Sequence, residues 1–340
     1  MISNCDHNLK IALISQPEYF RFCYENELET LGDVREYSLY MGAPTEFYSE
    51  LISFNADINI FFRPEHIPIN VLNRLNGIKI GLSSEPFPRH IDGKLNYTSD
   101  SIARYLSFRT IRHLPYDYLF HYDESSLNFI HSDGLSLSGV FVFPVATKTY
   151  MPKPATPNWD FFFIGRSTAH RETYFGPLKH HFHFLHICHG IAGRALVDYI
   201  NQSKICLNIH AEAEISWEPR VQMLLSCGAF VISEKITPNK LLRPGIDYIE
   251  VTSPRESYEA SEYYLNHENE RFEIAKSARK RVVELFNAEN NFRALITGVL
   301  DQSIPRFKTG KPGRSIRLID NAAQIWSIVR KPIALYRSLK

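Results

Sequence analysis

The feature that most constrains this chain is a rhythm of short β-branched and aromatic runs set between helix-length stretches. In the first half these runs are KIALIS (10–15), VREYSLY (34–40), DINIFF (57–62), KIGLSS (79–84), YDYLFHYD (116–123) and GVFVFP (139–144). Strands that alternate with helices build βαβ units and a mostly parallel sheet, so the fold class is α/β. The rhythm stops at PVATKTYMPKPATPN, whose four prolines suit an extended connector and neither a helix nor a central strand. It restarts with DFFFIG (160–165), HFHFLHICHG (181–190), KICLNIH (204–210), GAFVISE (228–234) and YIEV (248–251). The expected organisation is a first doubly wound domain over 1–145, a linker over 146–158, a second such domain over 159–305 and a tail over 306–340. A length of 340 residues fits two cores and therefore a cleft between them.

Periodicity adds one helix at 271–286, where Ile274, Ala275, Ala278, Val282 and Leu285 share a face expected to cover the second sheet. The tail carries nine Lys or Arg against the single acid Asp320 in a chain of net charge +1. From Arg314 onward it is amphipathic, with Leu318, Ile319, Ala322, Ile325, Trp326 and Val329 on one side. Such a segment either packs back across the domain junction or meets an anionic membrane as a peripheral contact. The charge balance elsewhere gives no support to nucleic-acid binding. The N-terminal residues MISNCDHNLKIALIS lack the pattern of a signal peptide, and no apolar run approaches membrane-spanning length, so the expected location is cytoplasmic. Cys5, Cys23, Cys188, Cys206 and Cys227 are scattered and odd in number, which reads as reduced and mostly packed.

In open parallel sheets ligands lie beyond the carboxyl ends of the strands. In the second half those positions are Gly165-Arg166-Ser167, His189-Gly190, and Asn208 with His210. Glycine there admits a close ligand, and the amides that follow can face phosphate oxygens. In SWEPRVQMLLSCGAF, Pro219 suits a first helical turn and Gly228 the residue past the end, so a short helix is expected over 219–226. Arg220 in its first turn adds a full positive charge able to grip a diphosphate, or else pairs with Glu218 or Glu214 at the surface. His180, His181, His183, His186 and His189 invite a metal reading, but their alternation with Phe182 and Phe184 is that of a two-faced strand without a completed ligand set. No metal or cofactor is expected. No G-x-G-x-x-G, P-loop or G-x-S-x-G pattern is present.

The run YINQSKICLNIHAEAEISWEPRVQMLLSCGAFVISE, followed by LLRPGIDYIEV and SEYYLNHENERFEIAKSARKRV, resembles the C-terminal domain of CgeB-like glycosyltransferases over about residues 140–290. The resemblance implies a GT-B fold of two facing Rossmann-like domains, with a nucleotide-sugar donor on the second, the acceptor on the first and no essential metal. One departure is Met223, where such sequences carry a glutamate that contacts the donor ribose. The resemblance and the strand ends together assign donor contacts to Gly165, Arg166, Gly190, Asn208, His210, Glu218 and Arg220. In the first domain Glu85 follows a strand and is the candidate base for the acceptor hydroxyl, with His121 as the alternative; a retaining reaction would need neither. The expected activity is transfer of a sugar to a glycan or lipid-linked acceptor in envelope or surface polysaccharide synthesis, with the nucleotide sugar as co-substrate. The alternatives are an epimerase or phosphorylase of related architecture, and a non-catalytic glycan-binding or coat-assembly protein.

Overall fold

The computed structural model of the chain describes residues 9–40, 43–213, 217–236 and 241–313. A first sheet holds β1 (Lys10–Ser15), β2 (Asp33–Ser38), β3 (Ile58–Phe62), β4 (Ile78–Ser83), β5 (Tyr118–His121) and β6 (Gly139–Val140). Their spatial order is β2-β1-β3-β4-β5-β6, parallel throughout. A second sheet holds β7 (Trp159–Ile164), β8 (Phe184–Ile187), β9 (Ser203–Asn208), β10 (Val231–Glu234) and β11 (Ile249–Val251). Its order is β8-β7-β9-β10-β11, again parallel. Each apolar run of the sequence contains a strand. GVFVFP keeps the fewest residues, because Phe141 and Phe143 leave the ladder for the core at the junction of the two halves.

Parallel strands bury both faces, so their residues alternate between two cores. Phe162 on β7 joins the large junction core, while Phe161 and Phe163 join the outer core of the second sheet. In the first sheet Ile58, Ile60 and Phe62 enter the junction core and Phe61 enters the opposite one.

The helices used below are α1 (Ser99–Phe108), α2 (Ala169–His181), α3 (Gly193–Asn201), α4 (Arg220–Ser226), α5 (Pro254–Asn266), α6 (Glu268–Phe286) and α7 (Ala288–Leu300). Thr98 and Ser101 form a reciprocal capping box on α1, and Thr168 and Ser253 cap α2 and α5 through their hydroxyls. α4 begins one residue later than expected, with Pro219 as its cap. Among the described residues of the first half, several crossovers are single turns such as Pro17–Phe20 and Ile69–Leu72, shorter than the helix-length spacing suggests.

α6 buries Ala275, Ala278, Val282 and Phe286; Ala275 and Ile274 join the outer core of the second sheet as expected, but the helix packs chiefly on α4, and Phe286 lies 5.9 Å from the Trp217 ring. At its end the chain meets the linker: Val145 N–H donates to Phe286 O, and Ala288 N–H donates to Val145 O. α7 then returns to the first sheet, where Phe292 contacts Phe141 and Tyr118 Oη donates to Val299 O. Lys308 and Thr309 pair with Leu135 and Ser136 of the first half. The division expected at residue 305 therefore does not follow the packing, because residues 288–309 cover the first sheet. Among the described residues no helix is long and apolar enough to cross a membrane. The amphipathic tail from Arg314 and residue Cys5 lie outside the described residues.

Candidate functional site

The carboxyl ends of both sheets open onto one cavity of about 620 Å³. In each sheet the chain order reverses beside its first strand, so the crevices lie between β1 and β3 and between β7 and β9. Gln16 to Phe20 follow β1 and Arg63 follows β3; Gly165 and Arg166 follow β7, and Cys188 to Ala192 follow β8. Glu218, Pro219 and Arg220 bring the start of α4 to the same cavity.

The second-domain wall is built around Arg220. Its side chain is only 10 % exposed and fills the crevice between the strand ends. Nη1 donates to Ile164 O at the end of β7, Nε and Nη2 donate to Asn208 Oδ1, and Nη2 also donates to Ile209 O. These carbonyls would otherwise be orphans where the ladder stops. Glu218 accepts the remaining charge, 2.6 Å from Nη2. On its other side Glu218 meets Arg171 Nη2 at 3.1 and 3.2 Å, and Arg171 also binds Ile209 O and Arg166 O. Burial is the largest influence on Glu218 and pushes its carboxyl up, but Arg220, His210 and Arg171 together hold it well below the ordinary range. Burial pulls Arg220 down to about 10 against the pull of Glu218, which leaves it charged at neutral pH. The Phe163 ring backs both guanidiniums, 4.5 Å from Arg220 and 4.9 Å from Arg171.

Gly165 has φ +142°, and a Cβ there would stand 2.9 Å from Arg220 Nη1. Its carbonyl accepts from His186 Nε2 at 2.8 Å. Arg166, the next residue, is exposed at the cavity and makes no side-chain hydrogen bond or ion pair among the described residues, although its charge reaches Asp100 of α1. Gly190, with φ +88°, lines the cavity beside His189 and Cys188, after the strand paired with β7. Cys188 is exposed, unlike buried Cys23, Cys206 and Cys227, which corrects the expectation of mostly packed thiols at that one position.

Glu85 lies in the cavity wall as the topology predicts, but its carboxylate is engaged by Arg63 Nη1 at 3.2 Å and by Arg104 Nη1. Arg63 turns toward it from a left-handed backbone (φ 60°), a conformation that costs a non-glycine residue about 1–2 kcal/mol. Arg104 comes from α1 and also meets Asp100 at 2.7 Å. His121 does not reach the cleft. It is fully buried, its Nδ1 pairs with Ser83 Oγ, and its ring stacks on Phe87. Burial, aided by the charge of Arg89, drives it down to about 3, so it stays neutral.

Of the sequence-derived donor contacts, Gly165, Arg166, Gly190, Glu218 and Arg220 line the cavity, whereas Asn208 and His210 do not. Asn208 is buried behind Arg220 and donates to Ser233 Oγ; His210 is tied to Glu234 and Lys235 O. Both stand behind the wall as supports and present no face to a ligand. Arg220 itself occupies a buried crevice, not the solvent-facing turn that its position at a helix start suggests. Sequence reasoning missed Arg63, although the rule used for Glu85 reaches it, since it directly follows β3. It also missed the Gln16–Tyr19 turn, which the same rule reaches because it follows β1, and Arg104, which no local pattern marks. Met223 also lines the cavity, in the same apolar cluster as Phe22, Tyr150, Ile191 and Leu196.

Residues 163–297 match a family model described as glycosyl transferase-like. No curated protein matches the sequence. Among solved structures, Anabaena HepE in complex with UDP and glucose is similar at TM-score 0.55 and 10% identity, covering 86% of this chain and 100% of that one. Sucrose-phosphate synthase from Thermosynechococcus elongatus gives 0.54 at 10% identity over 87% and 98%. T4 phage BGT in complex with its UDP-glucose substrate gives 0.51 at 12% identity over 86% and 100%. The chain has the GT-B fold that these structures share.

Proposed function

We propose that the chain is a glycosyltransferase that binds a nucleotide sugar in the cavity between its two sheets and passes the sugar to a hydroxyl of an acceptor held by the first domain. The observation that carries this reading is the cradle formed by Gly165, Arg166 and the start of α4 at the carboxyl ends of β7 and β9. It offers an unpaired guanidinium and a glycine that lets a ligand approach the backbone. The family match over the same residues supports it, as does the binding of UDP or UDP-glucose by the similar structures.

In this reading Arg166 meets the diphosphate directly. Arg220 keeps the Gly165 loop and the β9 end in place and adds charge from behind. Its donors are largely committed to Asn208, Ile164 O, Ile209 O and Glu218, so it stabilises the leaving group mainly through its field. Gly190 lines the neighbouring strand end, and the nucleoside lies toward Met223 and Leu196. Arg63, Arg104, Glu85 and Asp100 form an ion-paired wall on the acceptor side. Positive side chains then supply the charge stabilisation, and the reaction runs without a metal or further cofactor. The CgeB-like pattern of the second domain favours an acceptor glycan of the cell envelope or surface.

The test is a matrix of nucleotide sugars (UDP-glucose, UDP-galactose, UDP-N-acetylglucosamine, GDP-mannose, ADP-glucose) and hydroxyl acceptors, read by release of nucleoside diphosphate. A transferase releases it with one donor and in proportion to one acceptor. Conversion of the donor with no dependence on acceptor contradicts the reading.

A further inference from the structure

Three carboxylates line the cavity among the described residues: Glu18, Glu85 and Glu218. Glu218 is clamped by Arg171 and Arg220, and Glu85 by Arg63 and Arg104. As a base either would be weakened by its two arginines, whose charges stabilise the carboxylate against protonation. Glu18 stands in the turn Pro17–Phe20 directly after β1, exposed, with no hydrogen bond or ion pair to its side chain among the described residues. The neighbouring Tyr19 lines the same cavity and is 55 % exposed. A tyrosine with an open face and a polar tip suits the apolar face and hydroxyl rim of a sugar ring.

We infer that Glu18 is the base that accepts the proton of the acceptor hydroxyl, with Tyr19 beside it as the platform for an acceptor sugar. The inference rests on the transferase reading above and deepens it. The placement fits a direct displacement: Glu18 belongs to the first-domain wall, whereas Arg166 and α4 belong to the second, so base and leaving group lie on opposite sides of the transferred sugar. The acceptor O–H bond breaks toward the Glu18 carboxylate as the acceptor oxygen bonds to the anomeric carbon. The bond from that carbon to the diphosphate oxygen breaks, and its electron pair leaves on the diphosphate facing Arg166. The products are the new glycoside with inverted anomeric configuration, the nucleoside diphosphate and a protonated Glu18. His189 also lines the cavity, but it sits on the second domain with the leaving group, the wrong side for this proton.

The test uses the full chain and the donor–acceptor pair found by the nucleotide-release matrix. Glu18→Gln is expected to keep the parent melting temperature and the parent affinity for that nucleoside diphosphate, while turnover falls roughly 10²- to 10⁴-fold. The acid limb of the parent pH–rate profile should vanish in Glu18→Gln and persist in Glu85→Gln, and Glu18→Asp should recover part of the rate. Tyr19→Ala should raise KM for the acceptor and leave donor affinity alone. Turnover of Glu18→Gln within about threefold of the parent, or a product of retained configuration, overturns the role of Glu18 while leaving the transferase reading standing. A parent chain that releases no nucleotide with any pair overturns both.

Discussion

At the residue scale the wall of the cavity depends on a buried alternation of charges, Arg171, Glu218 and Arg220, with neutral oxygens filling the remaining donors. Removing one partner of a buried pair typically costs about 3–5 kcal/mol, because the other charge is left uncompensated. Arg220→Ala should therefore destabilise the chain by that order in urea unfolding, and a variant as stable as the parent would show the pair to be dispensable. Arg220→Lys should recover only part of the loss, since an ammonium cannot span Ile164 O and Asn208 Oδ1 as the planar fork does. Glu218 gives a pH signature of definite sign. Its folded carboxyl is held below the unfolded value of about 4.3, so its contribution is complete above that pH and is lost as the solution is acidified through the folded value. The melting temperature of Glu218→Gln should accordingly fall less steeply than the parent's below about pH 4; parallel curves would contradict the clamp. The sequence marked Arg220 and Glu218 through the start of the helix. It could not show that the guanidinium turns inward, because one of its acceptors, Ile164 O, lies 56 positions away.

At the scale of elements α4 is the hub, short as it is. Gln222 accepts from Trp217 Nε1 and donates to Phe143 O, and Ser226 Oγ donates to Tyr150 O, so this helix fastens the linker to the second domain. Arg279 from α6 reinforces the same point by donating to Ser226 Oγ and Thr147 O. Gln222→Leu keeps the volume but strands a buried indole N–H and a carbonyl, at about 1–3 kcal/mol for each orphaned group. The loss should appear as a lower unfolding midpoint, and an unchanged midpoint would mean that water or a shifted side chain replaces both bonds. The strands were legible in the sequence because parallel strands buried on both faces read as continuous apolar runs, as in Phe161-Phe162-Phe163. The destination of α7 was not. Its apolar stripe of Phe292, Leu295, Ile296 and Val299 announces a buried face but carries no information about which sheet receives it. The same limit applies to α6, whose period predicts burial and a sheet-facing start but not α4 as its chief partner.

At the scale of the whole molecule two parallel sheets point their carboxyl ends at a single cavity, and the chain crosses between them twice, at Val145 and at Asn287. That arrangement was readable from the two strand rhythms and the proline-rich break. The reach of each side chain across the cleft was not, since the pairing of Glu85 with Arg63 and Arg104 depends on how three separate first-domain segments converge. On the second-domain wall Arg171 and Arg220 share the carboxylate of Glu218, whereas Arg166 makes no side-chain hydrogen bond or ion pair among the described residues, which makes Arg166 the point where the account is most exposed. Calorimetric titration of UDP, GDP, ADP and CDP, each beside its monophosphate, into the parent and into Arg166→Ala tests it directly. One diphosphate should bind the parent more tightly than its monophosphate, and Arg166→Ala should lose roughly tenfold or more of the diphosphate affinity, the value of one charge-assisted contact of about 1.5–3 kcal/mol, with little change for the monophosphate. If no nucleoside diphosphate binds the parent, or if Arg166→Ala binds it equally well, the donor does not lie in this cavity as described.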